Sequence, residues 1–197
     1  YLYFHMIPAP RTIFRRVRRL PAAHALLIDR YGVQETRHWR LDFDEQNRPP
    51  FAAARETFRQ LIRESVAEQL SGQSRVGAFL SGGTDSSTVA GMLCQITGTA
   101  APVFSIGFDA EGYDEMEYAR IAARHFGCEH HEYYLTPADL LASMPAVAQH
   151  HDQPFGNSSA LPAYYCARIA QADGCTRMLA GDGGDELFGG NSRYAVQ

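Results

Sequence analysis

The chain has 197 residues, 45% of them hydrophobic and 20% charged, with a formal net charge of −4 at pH 7. That length builds one sizeable core and part of a second, and the balance of apolar and charged residues is that of a soluble globular protein. The small negative charge argues against broad nucleic-acid or acidic-membrane binding, no apolar run reaches the length of a membrane span, and no secretory signal is visible. Cys94, Cys128, Cys166 and Cys175 lack paired metal spacing and fit reduced thiols in a cytoplasmic protein.

The chain opens on Tyr1 rather than Met, and its first residues read as the middle of a domain, so a piece of a longer protein is expected. Ile7-Pro8-Ala9-Pro10 reads as extended, because each proline biases its predecessor away from helix. The run Arg11 to Arg19 holds five arginines, read as a solvated basic face rather than a nucleic-acid contact. Ala25–Asp29 and Glu35–Arg40 read as two strands joined around Tyr31-Gly32, without enough apolar partners for a core of their own. The charged, proline-ended segment 42–50 reads as a linker.

From Phe51 to Leu70, Phe58, Leu61, Ile62, Val66 and Leu70 recur at helical spacing, and Ser71-Gly72 ends that helix. Val76–Leu80 reads as a short buried strand, followed by a turn and a helix running through Thr88–Cys94. Pro102–Phe108 reads as a second buried strand. Asp114–Phe126 is a helix with acidic residues early and Gly127 as its stop. Cys128–Leu135 alternates as a third strand. Thr136-Pro137-Ala138-Asp139 caps a helix reaching about Gln149. Leu161–Ala172 is another helix, stopped by Gly174, and Thr176–Ala180 is a fourth strand. Strands alternating with helices predict an α/β domain with a parallel sheet, whose ligands lie beyond the carboxyl ends of the strands.

Two loops at that edge carry chemistry. In Ser81-Gly82-Gly83-Thr84-Asp85-Ser86-Ser87, a strand, a glycine turn and a helix start make an anion site, since the first helical N–H groups are unpaired and the dipole is positive there. The hydroxyls add donors and Asp85 can hold a cation. No lysine stands where a Walker loop needs one. In Gly181-Asp182-Gly183-Gly184-Asp185-Glu186, three carboxylates among glycines repel one another unless a cation or donor sits between them. Mg²⁺ is held by one or two carboxylates plus phosphate oxygens. A calcium-type or flexible acidic turn is the alternative for that loop taken alone. The pairs His130-His131 and His150-His151 invite a metal, but neighbours on a strand face opposite sides, which favours structural or surface roles. Asp114-Glu115 suits a helix start; Asp152 and Ser158-Ser159 fall in a loop that could border the substrate, and a helix cap explains the serines equally well.

Together, SGGTDS and GDGGDELFGG resemble the synthetase domain of glutamine-dependent asparagine synthases, in the PP-loop ATP pyrophosphatase superfamily. SGGxDS alone also occurs in relatives that make NAD, GMP or thiolated tRNA. The intervening segments agree with the resemblance: Phe104–Phe108, Tyr113-Asp114-Glu115, Glu129-His130-His131-Glu132, Asp152-Gln153-Pro154 and Ser158–Pro162. The fold implied is a parallel twisted sheet with helices on both faces, of the adenine nucleotide alpha hydrolase-like type. Residues 1–45, with Ile7–Phe14, resemble the tail of the family's glutaminase domain, and 51–197 the ATP-binding synthetase domain cut short at its C-terminus.

The resemblance implies that Leu80, Ser81, Gly82, Gly83, Asp85, Ser86 and Ser87 hold ATP, with the loop on its pyrophosphate. Ile106 and Gly107 would lie against adenine, Ala180 and Gly181 would close the other side, and Asp85 and Asp185 would hold Mg²⁺. Asp182 stands where many members carry Glu and would serve catalysis. Asn191 stands where many carry Tyr, and Tyr194 would partly replace it. The implied reaction joins the aspartate side-chain carboxylate to AMP with loss of pyrophosphate, then transfers ammonia, drawn from glutamine in the N-terminal domain, to give asparagine. The catalytic Cys and a later lysine would lie outside this stretch, which is expected to be inactive alone; a homodimer is compatible with the resemblance. Rival readings are a related amidotransferase or β-lactam-synthetase-like enzyme acting on another carboxylate, and an ATP-binding module without chemistry.

Overall fold

A computed structural model describes residues 1–42, 44, 46, 48–72, 75–109 and 114–190. Along these the elements run β1 (His24–Asp29), β2 (Gly32–Arg37), α1 (Phe51–Gln69), β3 (Val76–Phe79), α2 (Thr84–Thr97) and β4 (Pro102–Phe108). They continue with α3 (Met116–Phe126), β5 (Glu129–Leu135), α4 (Pro137–His150), α5 (Ala160–Ala172), β6 (Arg177–Leu179) and α6 (Gly184–Phe188). The chain divides into two compact units, one of Tyr1–Pro49 with Pro145–Ser158 and one of Pro50–Met144 with Ser159–Gln197.

In the first unit β1 and β2 form an antiparallel hairpin, registered from His24 opposite Arg37 to Asp29 opposite Gly32. Asp29 Oδ1 accepts the Tyr31 N–H at 2.8 Å, so the aspartate's own side chain stabilises the turn. Leu26, Leu27, Ile28 and Val33 are all exposed. The arginines of 11–19 are exposed too.

The second unit is built on a four-stranded sheet in the order β5-β4-β3-β6, every neighbouring pair parallel. Parallel sheets are covered on both faces, so their strands are apolar almost throughout. Val76, Ala78 and Val103 share one core cluster with Ala90 and Leu93 of α2, Ala119 and Ala123 of α3, and Val66 of α1. Phe104 points the other way, into a cluster with Cys166 and Ala170 of α5 and Cys175. Fully buried Phe104 and Leu93 each stabilise the fold by about 2–3 kcal/mol relative to exposure. α1 is less embedded than its spacing predicts, since Phe58 and Leu61 are exposed.

Local chemistry sets the ends of the helices. α2 ends at Gly98, whose φ of 66° is left-handed and whose N–H reaches the Cys94 carbonyl; a glycine adopts that conformation without a Cβ penalty. α4 begins with the expected capping box, Thr136 Oγ1 accepting the Asp139 N–H at 3.2 Å and Asp139 Oδ2 accepting the Thr136 N–H at 2.9 Å. The Thr136 hydroxyl, which donates to Asp139 Oδ2 at 2.7 Å, and after it the Thr136 N–H hold the Asp139 carboxyl below the usual carboxylate range. Three expectations need correction. His150 closes a helix rather than a strand. Ser159 occupies the N-cap position of α5 without a side-chain capping bond. The glycine-rich run after β6 contains the short helix α6.

Candidate active site

The ends of β3, β4 and β6 meet at the carboxyl edge of the sheet. β3 pairs in register through Ala78–Val103 and Phe79–Phe104 on one side and Ala78–Leu179 on the other. The loops leaving β3 and β6 are therefore neighbours by construction.

The loop after β3 is fastened by its own hydroxyls. Ser81 Oγ and Ser86 Oγ lie 3.0 Å apart, Ser86 Oγ also accepts the Ser81 N–H at 3.2 Å, and Ser81 Oγ accepts the Gly83 N–H at 3.3 Å. Gly82 has a φ of 85°, and a Cβ there would come within 2.5 Å of the Tyr118 and Ala119 backbone. The loop thus rests directly on the first turn of α3, with no room for a side chain. Gly83 is the N-cap of α2 and contributes no capping side chain, which leaves early N–H groups open to an anion. Ser87 Oγ is buried, with no hydrogen-bond partner among the described residues.

The loop after β6 is shaped by missing side chains. A Cβ on Gly181 would sit 2.8 Å from the Asp85 backbone carbon and the Ser86 nitrogen. A Cβ on Gly184 would overlap the Asp85 carboxylate, and one on Gly190 would overlap Asp185 Oδ1. Asp85, half-buried in the first turn of α2, is thus walled by Gly181 and Gly184, the residue directly before Asp185. Asp182 is exposed in the turn and Asp185 half-buried in the first turn of α6. Ala180 is exposed.

At β4, Leu80 N–H donates to the Phe104 carbonyl at 2.9 Å, and pairing with β3 goes no further. Ile106 and Gly107 lie beyond that point, still paired with Tyr133 and Tyr134 of β5. Gly107 is covered by the Tyr134 ring, which a Cβ would meet at 2.7 Å. Ser105 is 3% exposed; its hydroxyl donates to the Leu80 carbonyl at 2.5 Å and lies 2.7 Å from His130 Nε2. His130 Nδ1 faces Glu132 Oε1 at 3.4 Å. Arg120 holds Glu132 through Nε at 2.9 Å and Nη2 at 2.5 Å, keeping that carboxyl below its ordinary range. Burial pushes the His130 imidazole down as well, against the opposing pull of Glu132. Spacing alone did not single out Ser105; its partners are 25 residues away in each direction.

His131 faces away from His130, stacked on Phe104 with ring centroids 4.7 Å apart, as alternation on a strand requires. Its Nε2 is near Glu129 at 3.3 Å and Asp173 at 3.8 Å, a trio with metal-ligand chemistry. Arg75 already bonds both carboxylates, at 2.9 and 2.7 Å. This cluster sits at the amino edge of the sheet, opposite the two loops. The four cysteines are free thiols, with Cys94 Sγ and Cys128 Sγ 3.5 Å apart and Cys128 pushed up to about 12 chiefly by burial. A groove of about 770 Å³ between α2 and α3 includes Thr88, Met92 and Phe126 and shares no residue with the two loops. Tyr113, Asn191 and Tyr194 lie outside the described residues.

Comparison with known proteins adds to this geometry. Residues 57–197 match the family model described as asparagine synthase. The chain is 34% identical, over 196 residues, to the putative asparagine synthetase (glutamine-hydrolyzing) 2 of Methanocaldococcus jannaschii, covering 96% of this chain and 37% of that protein. It is 28% identical to asparagine synthetase (glutamine-hydrolyzing) 1 of Bacillus subtilis, covering 98% of this chain and 30% of that protein. The chain thus spans about a third of the length of the curated relatives it matches. Among solved structures, the U34-tRNA thiolase NcsA from Methanococcus maripaludis superposes with a TM-score of 0.51 at 14% identity, over 75% of this chain and 55% of that one. That likeness is one of fold, a parallel α/β sheet.

Proposed function

The chain belongs to the asparagine synthase family, and on that premise we propose that its parallel-sheet unit is the ATP site of an amide-forming ligase. In this reading Ser81–Ser87 and the start of α2 receive the pyrophosphate of ATP. Leu80, Ile106 and Gly107 border the adenine, and Ala180 and Gly181 close the nucleotide from the β6 side. The side-chain carboxylate of aspartate attacks the α-phosphorus, pyrophosphate leaves, and ammonia displaces AMP to give asparagine. Asp182, exposed at the mouth of the site, is the acidic residue nearest in role to the attacking substrate. Residues 1–45 are the tail of a glutaminase domain that supplies the ammonia.

The residues present fit Mg²⁺. Carboxylates are the hard oxygen donors it prefers, and the glycine wall around Asp85 brings the second acidic loop to the first. Asp85 and Asp185 would hold it; when bound, the ion neutralises charge on the leaving pyrophosphate. The protein's own part is alignment and fixed dipoles: the helix start and loop N–H groups point at developing negative charge without having to reorganise.

The observation that carries the reading is the seat of Gly181 and Gly184 on Asp85. A nucleotide-binding module that performed no chemistry would not need the second acidic loop pressed on the first. The test is pyrophosphate release by the intact protein with ATP, Mg²⁺ and free ammonia. Release that depends on aspartate is expected. Release only with a different carboxylate would reassign the substrate to a related amidotransferase or β-lactam-synthetase-like reaction, and no release with any carboxylate would leave only nucleotide binding.

A further inference from the structure

A parallel ladder alternates sides, so a residue whose N–H and C=O face one neighbour is followed two residues later by another facing the same way. Phe104 faces β3, as its carbonyl's bond to the Leu80 N–H shows. Ile106 therefore faces the same side. In a continued ladder its N–H would donate to the Leu80 carbonyl. That bond is absent among the described residues: the registered pairs stop at Phe79–Phe104, and Leu80 lies outside the strand. The Leu80 carbonyl is taken instead by the Ser105 hydroxyl at 2.5 Å.

We propose that Ser105, held by His130, is a positioning residue that ends the β3–β4 ladder one bond early and so leaves the Ile106 N–H and C=O free to read the edge of a bound adenine. The hydroxyl has one proton, and the short bond to Leu80 uses it. His130 must then donate its Nε2 proton to Ser105 Oγ across 2.7 Å, which fixes both the rotor of the hydroxyl and the tautomer of the imidazole. His130 Nδ1 lies 3.4 Å from Glu132 Oε1, and Arg120 of α3 holds that carboxylate. The backbone pair released at Ile106 offers one donor and one acceptor side by side, the complement of the acceptor and amino group on an adenine edge. Buried Ser105 touches no substrate; it works through Leu80 and Ile106. The inference rests on the nucleotide reading above and specifies which base-reading group it uses and why that group is available.

The test compares ATP with inorganic tripolyphosphate, both with Mg²⁺, by calorimetry on the intact protein. Ser105→Ala frees the Leu80 carbonyl to take back the Ile106 N–H. ATP binding is expected to weaken at least tenfold while tripolyphosphate binding stays within twofold, and Ser105→Thr, which keeps the hydroxyl, restores ATP binding. Equal losses for both ligands, or no loss for either, overturn the proposal. Should Ser105→Ala not fold, amide hydrogen exchange of Ile106 in the unaltered protein decides: exchange slowed at least tenfold by ATP supports the proposal, and the same protection with and without ATP overturns it. If the unaltered protein binds neither ATP nor tripolyphosphate, the nucleotide reading itself falls, a result distinct from either of the others.

Discussion

The two loops at the carboxyl edge of the sheet are held in place by opposite means. The loop after β3 is tied by side chains: Ser81 and Ser86 bond each other and the backbone around them. The loop after β6 is shaped by the absence of side chains, with Gly181 and Gly184 fitted against Asp85. Removing a hydroxyl from the first loop deletes a bond whose groups can turn to water. Adding a methyl to the second loop pushes atoms into space already filled. Polar fastening is therefore the tolerant half of the site and close backbone approach the intolerant half.

That contrast can be tested in order of effect. Gly82 is the one glycine of the first loop governed by close approach, and its positive φ adds strain. Gly82→Ala is expected to lower unfolding free energy by about 3 kcal/mol in urea titration, through overpacking on the α3 backbone plus the left-handed φ. A variant as stable as the parent would show that the loop does not rest on α3. Gly184→Ala is expected to displace the Asp85 carboxylate and slow pyrophosphate release by about 100-fold, close to 2.7 kcal/mol of barrier, while the urea midpoint moves little. Undiminished release would separate Asp85 from the chemistry. Ser86→Ala removes one fastening and is expected to cost about 1 kcal/mol of stability; a loss as large as that of Gly82→Ala would erase the distinction between polar fastening and close backbone approach.

The smallest effect is a pH dependence. His130 titrates below 6.5 in the folded chain because burial disfavours its charged form, with Glu132 pulling the other way and Arg120 and His131 reinforcing the depression. Between the folded and unfolded values the unfolded chain binds more protons, so stability rises with pH through that window. The contribution is complete above about 6.5 and is lost as the pH falls through the folded value. Urea unfolding of the parent and of His130→Gln across that range should show the parent alone gaining stability with pH from this source; parallel curves would refute it.

Much of the fold is written in local sequence. Val76–Phe79 and Pro102–Phe108 are apolar runs bounded by turns, and Thr136 with Asp139 is a capping box that any reader of the chain finds. The two loops are legible for the same reason, since glycines, hydroxyls and carboxylates cluster within a few residues. Other features depend on partners that no window contains. α6 hides in a glycine-rich run because Gly183 and Gly189, at both its ends, read as loop. The bond from Ser105 to Leu80 exists only after β3 and β4 have found their register, so periodicity cannot announce it.

Arg75 reaches Glu129 at the start of β5 and Asp173 just before β6, residues 54 and 98 positions later in the chain. The same separation governs β3, which lies inside the sheet yet pairs on one side with β6. During synthesis from the N-terminus, β3 and β4 can zip together while that other edge stays bare until about seventy more residues, from Phe108 to Arg177, have been made. Long-range pairings of this kind slow folding and leave strand edges open to wrong partners. β6, the edge strand beside β3 in the described sheet, thus joins well after β4, and Gly181–Asp185 of the second acidic loop come with it, so the two halves of the site meet only once that long-range pairing has formed.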